Sequence, residues 1–313
     1  MRLHDAIEQY ILARRGLGSR CRTQSDVLRH FLKCVDSKVG CDDISREQVR
    51  AFLAGDGRLT RTRALKYSVL AGFYRYAISR GYATRWPLPD NEPKKPPQAP
   101  PYVYSREEVR CLLDSLDLHH KRALQLDADT MRTLILLLYG AGLRAGEARH
   151  LTLVDVDLTT AVLTIRRSKF YKTRLVPVGP QLAGVLADYA RRRAVRAFPD
   201  GTNSSFLANR DGTPLAKETV QQSFRFLRRR VGIHGTAGCL PPSLHSLRHS
   251  FAVHRVTSWY REGADVQRLL PVLSTYLGHA RLSDTQVYLT MTPELLQEAS
   301  LRLERYARGG DHA

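Results

Sequence analysis

Up to about residue 86 the apolar positions follow one period, that of the α-helix. Ala6-Ile7, Tyr10-Ile11 and Ala13-Arg14 stand three and four apart, which puts one apolar stripe on a helix. The stretch Ser25–Val35 repeats the spacing through Val27, Leu28, Phe31, Leu32 and Val35. A third helix opens at Ser45-Arg-Glu-Gln-Val49, where Ser45 and Gln48 have the three-residue spacing of a capping box. Leu65, Val69, Phe73 and Tyr76-Ala77 predict a fourth. The expected product is a small all-α bundle with basic residues between its apolar stripes.

Beyond residue 101 the pattern is more varied. Ser105-Arg-Glu-Glu108 is another capping-box start, and a helix is predicted from about Asp129 to Tyr139, ending at Gly140-Ala-Gly142. A further helix covers Ala145 to Leu151. The period then shortens: Ala161-Val-Leu-Thr-Ile165 and Arg174-Leu-Val-Pro-Val178 are β-rich runs around a polar bend at Arg167–Thr173. Helical spacing returns at Gly179–Val195, Lys217–Val231, Ser243–Tyr260, Leu269–Leu277 and Pro293–Tyr306. The segment between the two patterns, Pro87–Pro101, is dense in proline and reads as an extended, semi-rigid connector. The longest apolar run, Leu134–Tyr139, is far too short to span a bilayer.

Charge adds a partner to this outline. The 313 residues carry 49 Lys and Arg against 30 Asp and Glu, a net of +19. The excess is spread over the chain, with 19 basic and 10 acidic residues in positions 1–95 and 30 and 20 in the rest. A polyanion such as nucleic acid is the expected partner, because each neutralised phosphate releases counterions. Arg outnumbers Lys, and its planar fork fits phosphate better. The five cysteines are scattered without a CxxC pair, which predicts reduced thiols rather than a disulfide frame or a zinc knuckle. With a polar N-terminus, these features predict a cytoplasmic protein without a signal peptide or a membrane association.

Four tracts hold the candidate chemistry. Gly140-Ala-Gly-Leu-Arg144-Ala-Gly-Glu147 places an Arg between two helices, with Glu147 one helical turn on to orient it. Arg166-Arg-Ser-Lys169-Phe-Tyr-Lys172-Thr-Arg174 puts two Lys and three Arg on a hairpin, a good place for phosphate contacts. His245-Ser-Leu-Arg248-His249 lays two imidazoles and a guanidinium on one helix face. Leu277-Gly-His279 is followed nine residues later by Tyr288. Each tract alone also reads as plain structure: a helix–helix turn, a solvated basic turn, a polar first turn, a packed tyrosine. A metal at His245 and His249 is disfavoured, since no glutamate completes the metal-binding pattern and Arg248 would repel a divalent ion. Taken in order, the four are complementary. Two Arg, a Lys, two or three His and a Tyr supply what metal-free phosphodiester transesterification needs. Arg144 and Arg248 can fork onto the nonbridging oxygens, Lys169 on its hairpin can protonate the leaving oxygen, and Tyr288 can attack.

From Tyr102 onward these residues resemble the tyrosine recombinase (phage integrase) family. The family's first box, T-G-L-R-x-x-E-x-x-x-L, is matched by Ala141 to Leu151, and its K-G-x-K-x-R-x-V-P hairpin by Lys169 to Pro177. The second box, H-x-L-R-H-[ST]-F-A, is met by His245 to Ala252, and the third by Leu277-Gly-His279 with Tyr288. The resemblance implies a mainly α protein in two parts. A helical core-binding (SAM-like) bundle over 1–86 would clamp DNA. After the linker at 87–101, a mixed α/β catalytic domain with a small β-sheet would cover 102–313. It implies that Arg144, Lys169, His245, Arg248 and His279 activate the phosphate and move protons. Tyr288 would form a 3′-phosphotyrosyl link, with no cofactor, ATP or metal. Glu147 and His249 would support the site, and Lys172 is the rival of Lys169 as general acid. Partners would be paired double-stranded DNA sites, a homotetramer on them, and accessory recombinases, with the protein on the nucleoid.

The tract before Leu277 is about four residues longer than usual in the family. This added turn resembles recombinases of transposons and insertion-type elements and favours a mobile-element role. A chromosome or plasmid dimer-resolving recombinase is the alternative, followed by a type IB topoisomerase and a catalytically idle DNA-binding regulator. The amphipathic tract Pro293–Tyr306, with Leu295, Leu296, Ala299 and Leu303, would dock on a neighbouring protomer or cap its own.

Overall fold

In the computed structural model the residues described are 1–18, 21–36, 39–54, 61–91, 99–117, 126–166, 173–196, 201, 203–290 and 293–307. The chain divides into two compact units, Met1–Gln98 and Ala99–Ala313. The first is a bundle of α1 (Leu3–Gly16), α2 (Arg22–Cys34), α3 (Arg46–Ala54) and α4 (Arg61–Ser79). Helix α1 buries Leu3, Ala6, Ile7, Tyr10 and Ile11, the stripe expected from its spacing. At α3 the capping box forms as predicted: the Gln48 amide donates to Ser45 Oγ (3.2 Å) and the Ser45 amide to Gln48 Oε1 (2.9 Å). Helix α4 differs from the expected stripe. Leu65 faces solvent, while Ala64, Tyr67, Leu70, Phe73, Tyr74 and Ala77 are buried. The reason is its central place, packed against α1, α2 and α3 at once, so it needs a wider apolar face than one row. Edge-on aromatic pairs fill this core, Tyr10 with Phe73 at 5.9 Å and Phe31 with Phe52 at 5.0 Å.

The second unit begins with α5 (Arg106–Asp117), where Ser105 and Glu108 cap each other's amides at 2.9 and 3.1 Å. Helix α6 (Ala128–Gly140) is apolar nearly all round. It buries Met131, Leu134, Ile135, Leu137 and Leu138 and is packed by α5, by the short α7 (Ala145–Arg149) and by α8 (Pro180–Ala194) and α10 (Leu244–Arg261). An antiparallel sheet stands to one side in the order β1 (Val156–Asp157), β2 (Val162–Ile165), β3 (Arg174–Pro177). Its register pairs Ile165 with Arg174 and Leu163 with Val176. Strand β1 was not read from the sequence, because two residues carry no period.

After α9 (Lys217–Arg230) and α10 comes α11 (Val266–Leu277). It runs unbroken from Val266 to Leu277, although Pro271 lies inside it. The chain then turns through α12 (Ser283–Gln286) and the 3-10 segment Val287–Thr290 into α13 (Pro293–Ala307). Helix α13 lies on α10, with Arg261 Nε donating to Glu298 at 2.8 Å, so it caps its own chain here. Leu296 and Leu303 of its predicted apolar stripe nevertheless stay exposed. The described residues are mainly α with a small three-stranded sheet, the fold class the sequence predicted. No helix among the described residues is long and apolar enough to cross a membrane.

Candidate active site

The site grows from two tight turns. Helix α6 ends at Gly140, and Gly142 follows with φ +61°. A Cβ there would lie 2.5 Å from the Phe251 ring and 2.9 Å from Leu277, so only glycine fits. Its carbonyl accepts from Arg248 at 2.7 Å. Two residues on, Arg144 starts α7. Its amide donates to Glu147 Oε2 (3.0 Å) and its Nη1 to Oε1 (2.8 Å), the orientation foreseen from their spacing. The second turn ends α11, where Gly278 has φ +67° and Arg174 lies against its α-carbon.

Glu147 is the hub. Arg174 grips it with both nitrogens, at 2.9 Å each, while its Nε donates to the carbonyl of Tyr276 (2.9 Å). Arg248 Nη1 stands 3.9 Å from the same carboxylate. Burial pushes the Glu147 carboxyl up, but the Arg174 and Arg144 guanidiniums outweigh it and hold it at about 2. One carboxylate thus serves three guanidiniums, which leaves the pocket strongly cationic.

The two arginines of the first and second boxes converge on the turn that presents His279. Arg144 Nη2 donates to the carbonyl of Gly278 (2.9 Å) and Arg248 Nη2 to that of Leu277 (2.7 Å). Arg248 is 1% exposed. Burial first, and Arg144 next, lower its guanidinium to about 10, still cationic at neutral pH. His279 follows, its Nδ1 2.7 Å from Thr285 Oγ1. Burial and then Arg248 and Arg144 lower it to about 4, so the ring is neutral. His245 and His249 pack edge-on, 4.5 Å between centroids. His249 is lowered to about 3 by burial and His245, and its buried Nδ1 has no hydrogen-bond partner among the described residues. His245 is lowered by desolvation and by Arg248 and Arg144.

Tyr288 lies against this cluster, 5.6 Å from the His249 ring and 5.9 Å from that of His279. It is 2% exposed and packs with Phe251, Val253, Val256, Leu273 and Leu277. Burial raises its phenol above the ordinary tyrosine value, against the opposing pull of Arg248 and of Arg144.

The structure therefore gathers Arg144, Glu147, His245, Arg248, His249, His279 and Tyr288. Lys169 and Lys172 lie outside the described residues. The hairpin needs a correction. Of its arginines, Arg174 does not face outward to phosphate but turns inward onto Glu147, and Arg166 is paired with Asp155 at 2.5 Å. Two contributors escaped sequence reading. Arg174 stood in a quoted motif but read as one more surface cation. Thr285 had no signal beyond its place between His279 and Tyr288.

The phage integrase family pattern matches residues 105–294. A protein of Sinorhizobium fredii, y4rB, named as an integrase/recombinase, is 36% identical over 308 residues, covering 96% of each chain. This chain is a tyrosine recombinase of the phage integrase family. The recombinase is also 31% identical over 249 residues to tyrosine recombinase XerA of Thermococcus kodakarensis, covering 80% of this chain and 77% of that protein. Among solved structures, the Tn1549 transposon integrase in complex with a circular intermediate DNA shares its fold, with a TM-score of 0.71, 16% identity and coverage of 97% and 99%.

Proposed function

We propose that this recombinase cuts and rejoins DNA at specific sites with Tyr288 as nucleophile, in the service of a mobile element. The observation that carries this is the convergence of Arg144 and Arg248 on consecutive carbonyls, of Leu277 and Gly278, beside His279 and Tyr288. Those donors are poised where a phosphate's nonbridging oxygens can replace neutral carbonyls. An anion gains far more from a guanidinium than a carbonyl does.

Tyr288 Oη attacks phosphorus, a 3′-phosphotyrosine bond forms and the 5′-oxygen leaves. Arg144, Arg248 and His279 hold the charge that builds on the nonbridging oxygens. Neutral His245 takes up the phenol proton, and Lys169 protonates the leaving oxygen. Glu147 and His249 keep the cationic groups and the phenol in place. A 5′-hydroxyl from a partner strand then reverses the step, and the bond energy is conserved throughout. In the state described here Tyr288 is buried, so attack follows an outward movement of the segment Val287–Thr290 that admits the phosphate. That movement removes the desolvation that raises the phenol and leaves the two arginines that lower it.

The first unit, with its cationic surface, is assigned to clamping DNA, and Pro87–Pro101 to the link. The partners are paired duplex sites in the cytoplasm, on the nucleoid, bridged by a homotetramer with accessory recombinases. The mobile-element role is supported by the tract before Leu277, longer than the family's usual spacing, and by likeness to the protein of Sinorhizobium fredii named as an integrase/recombinase. Likeness to XerA proteins supports dimer resolution as the second reading. The test is a nicked duplex carrying the site, run on a denaturing gel. The wild type is expected to give a covalent complex without added magnesium. A complex from Tyr288→Phe, or a strict need for magnesium, overturns the mechanism.

A further inference from the structure

Thr285 is a buried polar residue beside the site that the mechanism leaves unused. It sits on α12, 0% exposed, and the bond recorded for its hydroxyl is the one to His279 Nδ1 at 2.7 Å. Its amide is bound to the carbonyl of Leu282 (2.8 Å), so the hydroxyl cannot wander from the turn. The bond joins the end of α11 to the segment that carries Tyr288 three residues later.

We infer that Thr285 is a positioning residue: its hydroxyl donates to Nδ1 of His279, holds the ring as the Nε2–H tautomer, and ties its orientation to the Tyr288 segment. The inference rests on the reading of His279 as a phosphate ligand. A neutral imidazole has one N–H to give. Were Nδ1 to donate to Thr285, the lone pair of Nε2 would face the anion and repel it. With Thr285 donating, Nε2–H is left for the nonbridging oxygen. In the DNA-free protein burial first, then Arg248 and Arg144, keep the ring neutral against Asp284, so it matters which nitrogen carries the proton. The same bond makes His279 sense where the α12 segment stands. The movement proposed for Val287–Thr290 starts directly after α12, so the bond keeps the phosphate ligand in place at the base of the segment that brings the nucleophile.

The test compares wild type, Thr285→Val and Thr285→Ser as full chains. Nitrogen-15 spectra of the imidazoles, with His279→Gln used to assign the signal, read the tautomer in the DNA-free protein. We expect Nε2 protonated in the wild type and in Thr285→Ser, and a mixed tautomer in Thr285→Val. Covalent-complex formation is expected to fall by roughly tenfold or more in Thr285→Val, by analogy with metal-bound histidines that lose their orienting partner. Thr285→Ser should restore it, and DNA affinity should be the same in all three. A wild-type ring protonated at Nδ1 overturns the inference, as does Thr285→Val reacting at the wild-type rate. The spectra decide the tautomer even if Thr285→Val folds poorly. They also decide it if Tyr288→Phe still forms the complex and the nucleophile assignment fails.

Discussion

The two units fill their interiors differently. In Met1–Gln98 the centre is aliphatic and aromatic, with Phe31, Phe73 and Tyr74 among its largest buried side chains, and an ion pair such as Arg46–Asp90 stays on the surface. In Ala99–Ala313 a comparable apolar core surrounds a charged knot of Glu147, Arg174 and Arg248. Burying those charges costs desolvation that an apolar core never meets. The difference separates a unit whose interior is apolar throughout from one that holds a network of charges within its packing.

The sharpest way to break the comparison is Glu147→Ala. Three guanidiniums would then face one another with no carboxylate. The second unit should lose about 3–5 kcal/mol, the usual cost of breaking a buried pair. Covalent-complex formation should vanish with it. Urea denaturation gives the loss, and hydrogen exchange should place it in Ala99–Ala313.

Acid tests the same unit next. His249 and His279 are held neutral at about 3 and about 4 in the folded protein, against 6.5 as the ordinary value. Between those values the unfolded chain binds protons that the folded one refuses, so stability is fully present above about pH 6.5 and is lost as pH falls through 4 toward 3. Each unit of depression corresponds to about 1.4 kcal/mol. A His249→Leu variant should flatten the slope of denaturation midpoint against pH.

Smaller effects are expected in the first unit. Ile7→Val deletes one buried methylene and should cost about 0.5–1.5 kcal/mol, with covalent chemistry unchanged on a gel. Smallest is Arg46→Ala. Its exposed pair with Asp90 should be worth less than about 1 kcal/mol, read by the thermal midpoint at low and high salt. A large loss there would erase the contrast between the units.

The periodic elements were legible because one buried stripe repeats over several turns, as in α1, and because capping pairs such as Ser45–Gln48 and Ser105–Glu108 are local. Strand β1 and helix α12 were not, since two to four residues hold no period. Leu65 misled because α4 is packed on several sides. That Arg144, Glu147, His245, Arg248, His249, His279 and Tyr288 come together was readable from their order along the chain, but not how they are held. Arg174 reaches Glu147 across 27 positions, and a sequence does not say whether a hairpin arginine turns inward. The burial of Tyr288 was equally hidden, because its neighbours in space come from α10 and α11.

That burial has a consequence for anyone evolving the enzyme. Under the proposed mechanism Tyr288 is both reagent and mortar: the ring that would come out to react fills a hole among Phe251, Val256 and Leu277. Selecting variants for heat resistance will enrich substitutions that grip the ring harder, and such variants should start slowly on DNA. Hyperactive variants should turn up among those that melt early, so a plain thermal screen can serve as a first sieve for speed.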